Sequence, residues 1–423
     1  MSDHFGPRRV MELIAAVLML PVSSSLVSAQ TSSDSGTAAT LVLPTAPPTP
    51  GVTGDWFGER SQLVNDGLTV AGAVYYDYSK NLVGGLNTSG DASRETVDLD
   101  FTFTTDQKLN WPGGLFFFNF SDHEGTDGST LLTGDAQGFD NLDGPSGQQI
   151  AQLFYQQMLD ENQIRLKIGR MDSAYDFAYT ANGNNFLGAS FGTSPAILDF
   201  PTYPYPALGA ALFWTPSEFF YASGDVSDAN RSDRAGVLSG DPYNVQSTTG
   251  GVIVMEEVGG EWTLGAQRLA GRLGVGGYEN TGTFQPFDGG SQNGANGMYA
   301  VFDQTVWQSS TPAGENIGIF GQFGLGDGRV SPIDQHVGGG FQWTGPIPMQ
   351  SRSADVLGVG ASYAHFSGDG PFTEPYELEI EGFYKLQVTP WFNVQPDIQG
   401  IIHPGGAGLR NACVTTLRVE LDF

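Results

Sequence analysis

From Leu68 to the C-terminus, apolar positions recur at every second residue rather than at helical spacing. The clearest stretch is Val97-Asp98-Leu99-Asp100-Phe101-Thr102-Phe103-Thr104, where apolar and polar residues change places at each step. Successive side chains of a strand point to opposite faces, so Val97, Leu99, Phe101 and Phe103 share one face, and Asp98 and Asp100 the other. The same period runs through Leu68–Tyr78, Ile164-Arg165-Leu166-Lys167-Ile168, Tyr376–Val388 and Leu417–Phe423. Less regular alternation marks Leu115–Phe120, Leu153–Leu159, Ala207–Trp214, Phe219–Val226, Val252–Val258 and Gly271–Tyr278. It continues in Met298–Trp307, Ile317–Gly324, His336–Trp343, Val356–Phe366 and Trp391–Ile402. The pattern predicts about sixteen strands of roughly ten residues. Turn clusters between them alternate between short (Trp111-Pro112-Gly113-Gly114, Thr215-Pro216-Ser217) and long (Ser121–Gln149, Asp172–Pro206, Thr281–Asn296).

Many strands of that length, with loops long on one side and short on the other, predict an all-β fold over residues 67–423, a transmembrane antiparallel β-barrel. Soluble sandwiches and propellers use shorter strands. Alternation alone does not say which face looks outward. The start of the chain settles that: Arg8 and Arg9, the apolar run Val10–Val22 and the small residues Val27-Ser28-Ala29 read as a signal peptide, residues 1–29. Pro21 and several serines make the run too short for an anchor. An exported chain with long strands and much charge on one face points to a membrane, with the charges turned to a lumen. Residues 30–53, rich in Pro, Thr and Ser, form an extended leader. Residues 54–66, with Trp56, Phe57, Leu63 and Val64 at helical spacing and Gly67 behind them, predict one short N-terminal periplasmic helix. Pro396 lies inside a predicted strand and cannot donate to a ladder, so a bulge or rim position is expected there.

Composition then removes several functions. Acids outnumber bases 46 to 18, a formal charge of −28, which excludes nucleic acid as a partner. The 28 Phe, 15 Tyr and 7 Trp supply too much apolar area for a disordered chain. Cys413 is the only cysteine, so no intramolecular disulfide forms. The five histidines are scattered without metal-ligand spacing, and no cofactor is expected. Gly274-Val275-Gly276-Gly277 and Gly358-Val359-Gly360 lack the following helix that a phosphate loop needs. The acidic turns Gly324–Gly328 and Gly368–Gly370 suit solvated loops or calcium equally. Glu377, Glu379 and Glu381 share a strand face about 6.6 Å apart, inside the carboxylate separation of inverting glycosidases. Three identical carboxylates on one regular strand line water more often than they catalyse, so no enzyme is expected.

Several stretches together resemble the carbohydrate-selective porin (OprB) family of Gram-negative outer membranes. The entry segment Thr53-Gly54-Asp55-Trp56-Phe57-Gly58-Glu59-Arg60, with Leu63 and Gly67, is similar to the family's Gly-Asp-Trp-Gly-Gly-x-Arg, with Phe57 in place of a glycine. Leu166-Lys167-Ile168-Gly169-Arg170 and Gly224-Asp225-Val226-Ser227-Asp228-Ala229-Asn230 also resemble it. The most specific run is Glu374-Pro375-Tyr376-Glu377, Phe383-Tyr384, Thr389-Pro390-Trp391, Gln395-Pro396-Asp397-Ile398-Gln399 and His403-Pro404-Gly405-Gly406. The resemblance implies an outer-membrane barrel through which monosaccharides, glucose above all, diffuse passively into the periplasm. Its partners would be sugar solutes, outer-membrane lipid and the barrel-assembly machinery, with a homo-oligomer compatible. A general or acid-selective porin of the same fold, a secreted β-rich glycosidase and a plugged adhesion barrel are the alternatives.

With the apolar parity facing lipid, Asp98, Asp100, Arg165, Lys167, Glu377, Glu379 and Glu381 point into the lumen. Arg165, Lys167 and Arg170 precede the long stretch Asp172–Pro206, which holds Tyr175, Phe177, Tyr179, Phe186, Phe191, Tyr203 and Tyr205. A loop of that length folded into the barrel would narrow it, with the cations holding hydroxyls and the rings packing on sugar faces. Alternatively, the rings form an interfacial girdle and the cations pair with luminal acids. Arg170 has the opposite parity from Arg165. Val419, Leu421 and the C-terminal Phe423 share one face and resemble the signal by which outer-membrane barrels are recognised for assembly.

Overall fold

The computed structural model describes residues 51–197, 201–229, 250–310 and 314–423; the signal peptide and nearly all of the leader lie outside them. Sixteen strands appear in chain order: β1 Leu68–Val83, β2 Ala92–Thr104, β3 Gly114–Gly125, β4 Gly147–Leu159, β5 Ile164–Met171, β6 Ala207–Ser217, β7 Phe220–Asp228 and β8 Val252–Leu264. They continue as β9 Leu269–Phe284, β10 Gln292–Gln308, β11 Asn316–Leu325, β12 Ile333–Thr344, β13 Val356–Phe366, β14 Tyr376–Thr389, β15 Phe392–Ile402 and β16 Ala412–Asp422. Each pairs antiparallel with its neighbours in sequence, and β1 pairs with β16 to close the barrel. Closure removes the edges that an open sheet would leave unpaired in lipid.

Every strand expected from the alternation is present. The outer wall carries Leu166, Ile168, Leu212, Val258, Val275, Ile380, Ile398 and Leu417, all exposed. Tryptophans (Trp111, Trp214, Trp307) stand near the short-turn end, and Tyr78 and Tyr363 toward the other, the girdles of a membrane barrel. The packed core lies inside: Phe177 and Ile197 join Phe154, Phe213, Met255 and Tyr299, and Phe186 and Phe191 join Phe320 and Phe383.

Three expectations are corrected. Thr281–Asn296 is mostly strand, leaving only residues 285–291 as a loop, and β3 and β4 likewise run into Ser121–Gln149. These extensions are polar, so apolar alternation cannot mark them. A five-residue helix, Thr105–Leu109, fills a turn that no periodicity announced. Pro396 sits in a continuous β15: it stays in register with Leu417 of β16, while pairing with β14 lapses between Asp397 and Val394 and resumes without a shift. The ladder skips the missing N–H without inserting a residue.

The N-terminal element is a turn at Trp56–Gly58 followed by a helix at Glu59–Asn65. Phe57 takes φ 62°, which the glycine it replaces would adopt freely. Arg60 is buried and donates to Val70 O at 2.9 Å, tying the helix to β1. At the seam, Gly72 and Phe423 exchange two backbone bonds of 2.9 Å, and a Cβ on Gly72 would lie 2.6 Å from the Phe423 ring. Val419 stands half-buried on the outer wall and Leu421 is buried. Deleting Phe423 removes the last two bonds of the closing ladder. Folded barrel, read by heat-modifiable electrophoretic mobility, should fall while export continues; normal yield would remove Phe423 from an assembly role.

Candidate functional site

Alternation on β5 turns Arg165 and Lys167 inward, where they are only 3% and 2% exposed. Both spend their charge on one carboxylate: Arg165 Nη2 donates to Asp176 Oδ1 at 2.9 Å and Lys167 Nζ to Asp176 Oδ2 at 2.7 Å. Each also lies over a ring, Arg165 on Phe213 at 3.6 Å and Lys167 on Phe154 at 4.1 Å. Asp176 belongs to the long segment 172–206, which the pair holds against the inner wall. Burial works against its charged form, but Lys167 and then Arg165 more than reverse this and hold the carboxyl below the ordinary carboxylate range. At the root of the segment, Asp172 accepts from Ala174 N at 2.9 Å and Tyr203 N at 2.8 Å, stapling its two ends together.

Farther along, wall carboxylates receive consecutive backbone amides. Asp303 on β10 takes Ala181 N (3.0 Å) and Asn182 N (2.9 Å), and Glu381 on β14 takes Leu187 N (2.7 Å) and Gly188 N (2.8 Å). Glu377 takes Ala136 N (2.9 Å) and Gln137 N (3.0 Å) from the second inward segment, 126–146, and Gly405 N at 2.6 Å. Glu257 accepts from Ala178 N, Tyr221, Tyr299 and Arg272. Ionised acceptors make the stronger hydrogen bonds, and paired amides form a natural anion cradle. Segment 126–146 is also held by ions: Asp140 and Asp143 meet Arg94, and Asp140 and Asn141 meet Arg418, which also binds Asp77.

Glu377, Glu379 and Glu381 are therefore enclosed behind these segments, at most 1% exposed. The segment passes close above them: a Cβ on Gly188 would lie 2.1 Å from Glu379 Oε1, so the carboxyl would have to shift to admit one. A solute in the lumen cannot reach a carboxylate so covered, which leaves no room for a glycosidase pair. Arg170, half-buried at the end of β5, does not join Arg165 and Lys167; it approaches Gln149 Oε1 at 3.5 Å. Of the segment's aromatics, Phe177, Phe186 and Phe191 pack between segment and wall, and Tyr179 lies under Arg272 at 4.4 Å. Among the described residues, no group of three or more His, Cys, Asp or Glu side chains is placed to hold a metal.

Two cavities lie among the described residues. A cavity of about 810 Å³ reaches from Trp391 and Phe423 at the short-turn mouth along β1–β4, past Asp98, Asp100, Asn119 and Lys167. Asn119 Nδ2 donates to Asp100 at 2.8 Å and Asp98 at 3.4 Å, and Tyr175 projects into the space, 56% exposed. A smaller cavity of about 190 Å³ is built wholly from the two inward segments. Asn141, Asn184 and Tyr203 line both and form the neck between them. Asn141 is fixed by Arg418 Nη2 (2.7 Å) and Phe186 O (3.2 Å), whereas Asn184 is exposed. Tyr203 was legible as one aromatic among seven. The two asparagines, Asp172 and Asp176 carry no periodic signal, and Asp303 is marked only by its inward parity with Tyr299 and Val301.

A closed barrel with an apolar outer wall, segments folded into its lumen and a polar passage through it is a porin of the bacterial outer membrane. The chain belongs to the carbohydrate-selective porin, OprB family, whose description matches residues 88–423. It is 22% identical to Porin B of Pseudomonas aeruginosa over 92% of this chain and 94% of that one. Among solved structures it resembles Pseudomonas putida OprB at high pH (19% identity, 89% and 99% coverage, TM-score 0.79) and at low pH (15%, 89% and 100%, TM-score 0.58). The family match begins after the entry segment at Gly54 and includes the whole C-terminal run from Glu374.

Replacing Asp176 with alanine leaves two buried cations without their counter-ion, which should cost about 3–5 kcal/mol. The thermal midpoint of the detergent-solubilised barrel should fall, with Asp176→Asn milder. Because the folded carboxyl titrates below its unfolded range, its contribution is complete at neutral pH and is lost only as pH drops through and below that range. An unfolding series from pH 7 to 3 checks this: the wild-type advantage over Asp176→Ala should shrink only at the acid end.

Proposed function

We propose that the chain gives monosaccharides such as glucose a passive, selective route down their gradient into the periplasm. The observation that carries this reading is the neck: Asn141, Asn184 and Tyr203 are uncharged, and each side chain both donates and accepts hydrogen bonds. A sugar entering it exchanges water for partners of the same kind, which an apolar or ionic ring would not offer. Binding stays weak enough for release on the far side. Asp98 and Asp100 flank the route in the larger cavity as stronger, charge-assisted partners, while Arg165 and Lys167 serve by holding the segment that carries Tyr203. The carboxylates of Asp98 and Asp100 also disfavour acidic solutes, which speaks against the acid-selective alternative.

Liposome swelling with glucose, a disaccharide and charged solutes of similar size tests the reading. Asn184→Ala and Tyr203→Phe should reduce the preference for glucose several-fold while the barrel stays folded, and Lys167→Ala should change glucose flux. Equal rate changes for every solute would reduce the neck to a size filter and favour a general porin.

A further inference from the structure

At the short-turn mouth the chain is held on the lumen side of its own last strand. Val52 N donates to Asp422 O at 2.9 Å, and Gly51 is buried against the end of β16, where a Cβ would lie 2.4 Å from Phe423 Cα. Gly51 also lines the larger cavity, together with Trp391 and Phe423. The preceding segment, Pro44-Thr45-Ala46-Pro47-Pro48-Thr49-Pro50, lies outside the described residues, but the point at which it joins them is fixed at the cavity wall.

That wall has the chemistry a proline-rich segment needs. Pro390 is exposed, Trp391 and Phe423 are half-buried, and no described residue accepts a hydrogen bond from the Trp391 indole N–H. Proline-rich chains favour an extended helix whose rings pack on aromatic side chains and whose carbonyls, unpaired within the helix, accept hydrogen bonds from outside. Residues 35–50 carry no charge, so the carboxylates of Asp98, Asp100 and Asp422, which line the same cavity, do not repel them. Reach is sufficient as well. Seven residues at about 3.1 Å each span about 22 Å. The stretch of β16 from Phe423 back to Arg418, which fixes Asn141 in the neck, is about 17 Å at roughly 3.4 Å per residue.

We propose that Pro44–Pro50 docks in the larger cavity, its proline rings on Trp391 and Phe423, as an occupant of the chain's own that solutes must displace or pass. Because Gly51 holds one end at the site, the segment is presented at an effective concentration on the order of millimolar, so contacts too weak to hold a free peptide suffice. The docked segment narrows the passage between the mouth and the neck. It does so for every solute, whichever one the neck prefers.

The experiment compares the exported full-length barrel with its variants in liposomes and planar bilayers. Deleting residues 34–50, with the signal peptide and the residues just after it kept, should raise both the glucose swelling rate and the single-channel conductance several-fold. A free peptide of residues 41–50, added at millimolar concentration to the short-turn side, should reverse that gain. Replacing Pro44, Pro47, Pro48 and Pro50 together by serine keeps the chain length and should give part of the same increase, as should Trp391→Ala. A photoreactive benzophenone side chain in place of Thr45 should cross-link, within the same chain, to cavity-lining residues such as Tyr75 or Asn119. Unchanged flux and conductance in the deletion, or cross-links to other proteins alone, would each overturn the proposal. If the deletion does not assemble, the serine variant and the cross-link decide the question, and wild-type flux in the former without a luminal cross-link in the latter would sink it.

Discussion

The lumen of this porin depends on one interaction repeated around its inner wall: a strand-borne carboxylate accepting consecutive backbone N–H groups from an inward-folded segment. Asp303, Glu381 and Glu377 each do this, on β10, β14 and β14 again. Backbone amides inside a narrow barrel have no sheet to join, and an unpaired one is costly. The wall supplies carboxyl acceptors, so the segments, which form only short helical turns such as Ser129–Thr133 and Ala189–Gly192, gain there the hydrogen bonds that those turns leave unmade. Arg165 and Lys167 apply the same logic with the signs reversed, gripping Asp176 from β5.

This arrangement divides labour between charge and passage. Most ionised inward groups hold the segments, and rings such as Phe186 and Phe191 fill the gap between segment and wall. The three residues that the two cavities share, Asn141, Asn184 and Tyr203, are uncharged. The smaller cavity is therefore built by loops, while the barrel lines much of the larger one and sets where those loops are anchored. Selectivity can thus change by substitutions in 126–146 and 172–206 without disturbing the ladder that keeps the protein in the membrane.

Particular residues show how far the sequence reaches. Val97–Thr104 and Ile164–Ile168 announced strands and their faces, because a two-residue period admits only one assignment of sides once lipid is known to be outside. The inward placement of Asp98, Asp100, Arg165 and Lys167 followed directly. The extensions of β9 and β10 did not, because strands above the membrane are polar on both faces and carry no period. Pro396 was legible as a break in hydrogen bonding, though not in the form the ladder takes, which skips two pairings and resumes in the same register.

Taken alone, the sequence determined an exported, sixteen-strand barrel with its acids and bases turned inward, since alternation, strand length and the order of segments are local properties of the chain. The structure decided which of those ions a solute can meet. Glu377, Glu379 and Glu381 look like pore-lining carboxylates in sequence and are covered in the fold, because segments more than a hundred residues away in the chain lie over them. Asn141 and Asn184, silent in sequence, form the neck with Tyr203. Their position depends on hydrogen bonds between residues far apart in the chain, and such contacts leave no period to read.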